Sequence, residues 1–365
     1  MLVDLAIVLG KILVVISAVL GLATVMTWAE RKQSAVMQDR IGANRADIFG
    51  LRIIGLFHPI ADALKMITKE DFIPAKADRL LHTLAPMLAI FPALVVFAVI
   101  PFGDVVNIAG RTIKLQIADL NVGILYIFGI ASLGVFGVIL AGWASNNRYG
   151  LLGAMRACSQ MISYEISMGL SILGIVMVFQ TLQLDAIAHA QEGFLFGFLP
   201  RWGLFFQPLG FVLFMTAAVA ETKRIPFDLP EGESEILGYF VEYSGLKFGL
   251  FMMSEFVETI VAAAVITTLF FGGWQPSLPF LYVAADGLHL VGGAFVAMPH
   301  WLVVLCQVGA YVAKLMFFVW LLLLIRWTFP RFRYDQLMHL GWKIMLPLAL
   351  LNVLATGVVV LLIGR

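Results

Sequence analysis

Residues 205–235 read FFQPLGFVLFMTAAVAETKRIPFDLPEGESE. An apolar run closes at Glu221, and five carboxylates fall between that residue and Glu235: Glu221, Asp228, Glu231, Glu233 and Glu235. Ionised groups are costly near a bilayer, so a cluster at the end of an apolar segment marks a functional site by default. Pro226, Pro230 and Phe227 suit a shaped, partly rigid loop.

The same apolar character fills the rest of the chain. Of its 365 residues 61% are hydrophobic and 13% charged, with a mean hydropathy of +0.96, values outside the range of soluble domains. A spanning helix needs about 20 mostly apolar residues. Eight segments qualify, at roughly 4–29, 80–102, 121–143, 161–182, 205–221, 247–272, 300–326 and 342–363; the fifth is the shortest. None alternates as a membrane barrel does, which leaves helices. The expectation is one all-α integral membrane domain over residues 1–365, with eight transmembrane helices, a short interfacial amphipathic helix and a structured acidic inside loop. The first apolar run has no basic start and no small-residue cleavage pattern, so it reads as a span rather than a signal peptide.

Lys and Arg set the orientation. The connections after spans one, three, five and seven carry seventeen of them, nine in the first alone, whereas those after spans two, four and six carry only Arg111, Lys114 and Arg201. The odd-numbered connections therefore face the cytoplasm or matrix and both termini the other side. The net charge of +1 reflects topology and gives no footing for nucleic acid. Cys158 and Cys306 stand far apart and the six histidines are scattered, so no metal site and no resident redox centre is expected. No internal repeat of the transporter kind is visible.

Pro59 can open a short helix on which Asp62, Lys65 and Lys69 share one face and Ile60, Ala63, Leu64 and Ile67 the other. Such a helix lies in the interface, either as a plain anchor or as one wall of an entrance for a lipid-soluble ligand. Asp62 among lysines favours the entrance. Further on, Asp228 and Glu231 have capping-box spacing. A helix starting there would carry Glu231, Glu235 and Glu242 on one stripe, either a solvated acidic face or a line of proton sites. The aromatic residues Phe227, Tyr239, Phe240 and Tyr243 disfavour a solvated face.

Charges also occur inside the spans: Glu165, Glu221, Glu255, Glu258 and Lys314. At 1.5 Å per residue, Glu255 and Glu258 stand about 12 and 16 Å from Lys247, and Lys314 about 18 Å from the inner end of its own span. The expectation is a trio of two carboxylates and an ammonium at one depth, either a structural ion pair or part of a proton relay.

Several of these motifs resemble the H-subunit family of respiratory complex I, NADH–quinone oxidoreductase. They are Glu30-Arg31-Lys32, the run from Gln38 to Arg45, the run from Pro59 to Lys65, the run from Ala220 to Leu229 with its glutamates and Glu242-Tyr243, and the run from Pro330 to Met338. The resemblance covers essentially the whole chain in order. It implies a membrane protein at the junction of a peripheral and a membrane arm, lining a tunnel for quinone (ubiquinone or menaquinone) as substrate. Iron–sulfur clusters and FMN would reside in partner subunits. Those partners would include the terminal iron–sulfur subunit, the quinone-site subunit, small membrane subunits and antiporter-like subunits, all in lipid. By the same likeness Arg31, Arg40, Arg45, Asp62, Phe227 and Asp228 line the quinone path. Glu165, Glu221, Glu231, Glu233, Glu235, Glu242 and Glu255 form a proton-coupling chain, and a bacterial inner membrane is implied. Lys314 joins the chain on spacing alone. The chain departs from the family pattern at Ala43, usually proline; at His58, often glutamine; at Lys223, usually asparagine; and at Glu258, which the family does not lead one to expect. The competing expectations are a related membrane subunit of an energy-converting hydrogenase or another dehydrogenase, and an independent ion transporter. The Pro230–Glu235 run and Tyr334-Asp335-Gln336 favour the quinone enzyme.

Overall fold

The computed structural model describes residues 2–108, 110–229, 238–284, 287–290 and 295–363, so Glu231, Glu233 and Glu235 lie outside the described residues. In chain order the helices are α1 (Leu2–Met37), α2 (His58–Thr68), α3 (Arg79–Val96), α4 (Gly123–Ala131), α5 (Leu133–Ala144), α6 (Arg148–Phe179), α7 (Leu184–Ala190), the single turn α8 (Gly203–Phe206), α9 (Pro208–Glu221), α10 (Gly245–Phe270), α11 (His300–Thr328), α12 (Tyr334–His339) and α13 (Leu346–Ile363). A π-helical turn, Leu340–Met345, joins the last two into one rod. Among the described residues seven helical segments are long and apolar enough to cross a membrane: Val3–Met37, Arg79–Val99, Gly123–Ala144, Arg148–Phe179, Gly245–Phe270, His300–Thr328 and Tyr334–Leu362. The fold is that of a multi-pass, largely helical membrane protein.

The helices pack through small residues, as expected where lipid removes the hydrophobic drive between helices. A Cβ built on Gly137 of α5 would stand 2.6 Å from the backbone nitrogen of Ala89 on α3, so these two backbones touch. Helix α10 packs against α3, α11 and α1, and α6 against α9, α5 and α13. The main core gathers Tyr164, Phe214, Ile260, Phe270 and Phe318, while a smaller one holds Tyr239, Tyr243 and Phe251 against α3, α5 and α6. The amphipathic helix is α2, with Pro59 in its first turn.

The structure refines one expectation and corrects another. First, the long apolar segments are helical as expected, with strands confined to the connections. The connections carry short antiparallel hairpins, β1 (Val105–Ile108) with β2 (Arg111–Lys114) and β3 (Phe194–Leu195) with β4 (Leu199–Pro200), and a four-stranded meander of β5 (Ser277–Leu278), β6 (Leu281–Ala284), β7 (Gly287–Leu290) and β8 (Phe295–Ala297). Strands of two to four residues are too short to print a period on the sequence. Second, Glu242 does not sit on a helix continuing from Asp228; residues 239–242 form turns and the next helix starts at Gly245.

Helix α9 decides where the site lies. Its 14 residues span about 21 Å, short of the ~30 Å hydrocarbon core. The chain after it is nevertheless buried: Thr222, Lys223, Arg224, Phe227, Asp228 and Leu229 are each 6% exposed or less. Irregular backbone is tolerated at membrane depth only where protein surrounds and satisfies it. Here Gln160 of α6 does so, its Nε2 donating to the carbonyls of Ala220 and Phe227, both at 2.7 Å.

At the other end of the bundle a polar clasp ties the β2 hairpin to α7. Lys114 reaches Asp119 at 2.6 Å and Asp185 at 3.7 Å, and His189 Nε2 stands 3.5 Å from Asp104. The hydrogen bond to Asp104 raises the His189 pKa above its ordinary value, against a smaller opposing effect of burial and with help from Asp185.

Two outcomes follow from these contacts. Gln160→Met should leave buried carbonyls without a side-chain donor, at about 1–3 kcal/mol for each group left unpaired. It should therefore speed amide hydrogen exchange in residues 222–229 at least tenfold; unchanged exchange there would reject the clamp. The His189 contact stabilises the fold fully below the unfolded-state pKa of about 6.5 and is lost as pH rises through the raised folded value. His189→Gln should therefore lower the thermal midpoint at pH 6 and leave it unchanged at pH 9; an equal drop at both would contradict the assignment.

Candidate functional site

Three charged groups lie in the bundle, two of them flanking the point where α9 stops. The first surrounds an internal cavity of about 70 Å³ between α3, α4, α6, α9 and α10. Its walls are apolar except for Glu221, Thr222 and Glu258. Glu221 ends α9, and its Oε2 is buried without a protein hydrogen-bond partner. Glu165, half-buried on α6, and Glu258 both act electrostatically on Glu221. Lys223, 2% exposed, stands 3.1 Å from Glu258 Oε2. A cavity of this size has room for several waters, since one needs about 10–15 Å³.

The second group lies on the other side of the buried loop. Glu30 of α1 forms an ion pair with Arg326 of α11 at 2.5 Å and lies 3.8 Å from Arg224. The Arg224 guanidinium stacks 4.3 Å over the Phe256 ring. Asp228 pairs with Arg331 at 2.9 Å. Phe227 packs between Tyr164 and Phe332, with centroids 5.5 and 5.4 Å away. Buried ions persist only when paired in this way.

The third group surrounds a cleft between α1, α2 and the start of α10. Arg31 and Asp62 pair at 2.6 Å, and the cleft is lined by these two with Lys65, Tyr243 and Phe248. Its inner wall continues into a polar and aromatic run. The Tyr243 ring stacks on His82 at 4.0 Å, burial raises the Tyr243 hydroxyl's pKa, and Glu242 Oε1 accepts from Asn147 at 2.6 Å. Glu255, 2% exposed, accepts from the Tyr239 hydroxyl at 3.3 Å.

The sequence-derived candidates thus fall into neighbouring sets rather than one pocket. Glu165 and Glu221 share the cavity region, Phe227 and Asp228 the buried loop, and Arg31 and Asp62 the cleft. Glu242 and Glu255 attach to the tyrosine pair. Arg40 and Arg45 are exposed, and Arg40 is held to Gln38 and Ser34. The expected trio of Glu255, Glu258 and Lys314 does not form. The Lys314 ammonium instead donates to the carbonyls of Phe271 at 2.7 Å, Gly273 at 3.2 Å and Gln275 at 2.5 Å, capping the far end of α10. That end is thirteen residues from Glu258, about 20 Å, and Lys223 takes the place expected of Lys314. Depth counted along two separate helices misled because it takes no account of a lysine stem that reaches along the axis. Sequence reasoning also missed Glu30, Arg224 and Arg326 as one buried set. The signal was there in the Glu30-Arg31-Lys32 and Lys223-Arg224 runs, too dense in charge for an apolar chain.

The chain is similar to known proteins over nearly its whole length. A family model described as NADH dehydrogenase matches residues 10–357. The chain is 46% identical over 362 residues to an H-type subunit (number 1) of the NADH-quinone oxidoreductase of Geobacter metallireducens, covering 98% of each. It is 46% identical to the H-type subunit number 2 of Geobacter sulfurreducens, over 99% of this chain and 98% of the relative. To the H-type subunit number 2 of Rhizobium meliloti it is 43% identical, over 98% and 99%. Matches of this extent, spread over every helix that builds the three charged groups, leave one assignment: the chain belongs to the NADH dehydrogenase family.

Proposed function

We propose that this chain works as the H-type membrane subunit of an NADH–quinone oxidoreductase, forming the access passage for quinone and the first members of a glutamate chain that couples quinone chemistry to proton movement. The relatives carry that name over nearly their full length. The observation that carries the mechanistic part is Glu221. It ends a helix that stops inside the bundle, lines a cavity, and keeps one buried oxygen without a protein hydrogen-bond partner.

On this reading the cleft at Arg31 and Asp62 is the passage mouth, and α2, with one apolar face at the interface, forms its outer lip. A quinone tail needs apolar walls, and a headgroup gaining electrons needs cations and carboxyls that respond. Phe227, wedged between two rings, and Asp228, held by Arg331, sit on the buried loop between the passage and the cavity. Arg40 and Arg45 extend the cationic rim. Glu165, Glu221, Glu242 and Glu255 form the proton chain, joined by Glu231, Glu233 and Glu235. Lys314, tied to three carbonyls, serves as a cap and leaves the chain. Electrons would reach quinone from FMN and iron–sulfur clusters in partner subunits of the peripheral arm; in the membrane arm the proton signal would pass to small and antiporter-like subunits. We also take Pro208–Glu221 as the eighth crossing, made with the buried loop, which puts both termini on the periplasmic side of a bacterial inner membrane.

The test is the assembled enzyme in proteoliposomes. Glu221→Gln should cut protons pumped per electron at least fivefold while NADH oxidation with an artificial electron acceptor stays unchanged; full pumping would reject the relay. Asp62→Asn releases a partly exposed partner of Arg31. It should raise the apparent KM for quinone about threefold, the scale of a half-exposed ion pair, and an unchanged KM would remove Asp62 from the passage.

A further inference from the structure

Lys223 and Glu258 have no part in the reading above, yet they meet at its centre. The Lys223 ammonium donates to Glu258 Oε1 at 3.2 Å and lies 3.1 Å from Oε2, and the Ser254 hydroxyl, one turn earlier on α10, donates to the same Oε1 at 3.1 Å. Lys223 adopts φ +56°, in the left-handed region that non-glycine residues seldom use. This turn directly after α9 carries the ammonium back to α10. The lysine is 2% exposed, so the contact is not a surface ion pair.

The charge count is informative. Glu221 and Glu258 both line the cavity. Lys223 interacts electrostatically with Glu258, Glu255 and Glu221, and Glu221 with Glu258, Glu165 and Lys223. The neighbouring Arg224 turns away to Glu30 and the Phe256 ring. Two carboxyls thus line one cavity, and one ammonium pairs with Glu258 and acts electrostatically on Glu221. A low-dielectric site of this kind is neutral with one carboxylate ionised and the other carrying a proton; a second ionised carboxylate would stand uncompensated.

We infer that Glu258 is a second proton-carrying carboxyl of the cavity and Lys223 the counter-ion it shares with Glu221. The inference rests on the reading of Glu221 as a relay. The step is an exchange. The Glu221 acid gives its proton to a cavity water, and the water passes a proton to the Glu258 carboxylate. Glu221 is left as the carboxylate and Glu258 as the acid. The ammonium moves its ion pair from Glu258 to Glu221, and the net charge of the site never changes. Lys223 is a positioning residue in this step; it transfers no proton.

The experiment measures protons pumped per electron against pH in proteoliposomes of the whole complex carrying Lys223→Gln, Glu258→Gln or both. Removing the ammonium strengthens proton holding by the remaining carboxyls, so the Lys223→Gln profile should move up by about one pH unit. Glu258→Gln leaves the ammonium to Glu221 alone, so its profile should move down by about one unit, with a plateau reduced severalfold. Opposite charges at this range shift a carboxyl by about 1–3 units. The double variant should return to the original pH range with the reduced plateau. If the pair is only structural, the profiles stay in place, the single variants lose assembled complex and the double variant pumps in full; that result overturns the inference. Should the single variants fail to assemble, the double variant decides alone, a reduced plateau supporting the proposal and full pumping overturning it. Glu221→Gln run beside them separates the two claims. If it uncouples while positions 223 and 258 shift nothing, only the inference falls; if it pumps normally, the relay itself falls.

Discussion

The structure depends on a loop buried where loops are normally excluded. After Glu221 the chain leaves the helix and runs through the bundle, so carbonyls that lipid could never satisfy must find donors in protein. Gln160 supplies them from α6, one amide bridging both ends of the turn. Without that constraint the carboxylates of this stretch would belong on an aqueous surface. With it, Asp228 is buried in the bundle and Glu221 lines an internal cavity.

Burial then forces each charge to find a partner, and the partners chosen draw the site. Glu30 binds two arginines from different parts of the chain, Asp228 takes a third, and Lys223 finds Glu258. Lys314 is matched by three carbonyls at the end of α10 and serves as a cap there. Glu221 differs from these carboxyls in making no ion pair within 4 Å among the described residues, while it lines the cavity.

Much of this was legible in the sequence. Apolar runs of about 20 residues located the seven long apolar helices, and the proline and charge spacing of α2 located the amphipathic helix because period and capping chemistry are local signals. The acidic stretch announced itself because nothing about folding in lipid asks for it. What stayed hidden was non-local. The partner of Glu258 could not be read from depth along a helix, since α9 ends early and returns its next lysine to the cavity. The hairpins near Arg111 and Leu281 were too short to show alternation. The pairing of Glu30 with Arg326 joins residues nearly three hundred positions apart, which no periodicity encodes.

The central claim is that an event on a quinone in the cleft changes the protonation of carboxyls buried beyond the loop. Infrared difference spectra of the intact enzyme, taken as quinone is reduced and with glutamate isotopically labelled, test it most directly. The account predicts a labelled carboxyl C=O band that gains or loses intensity with quinone reduction and is altered by Glu221→Gln. A spectrum in which quinone reduction leaves every glutamate band unchanged would contradict it.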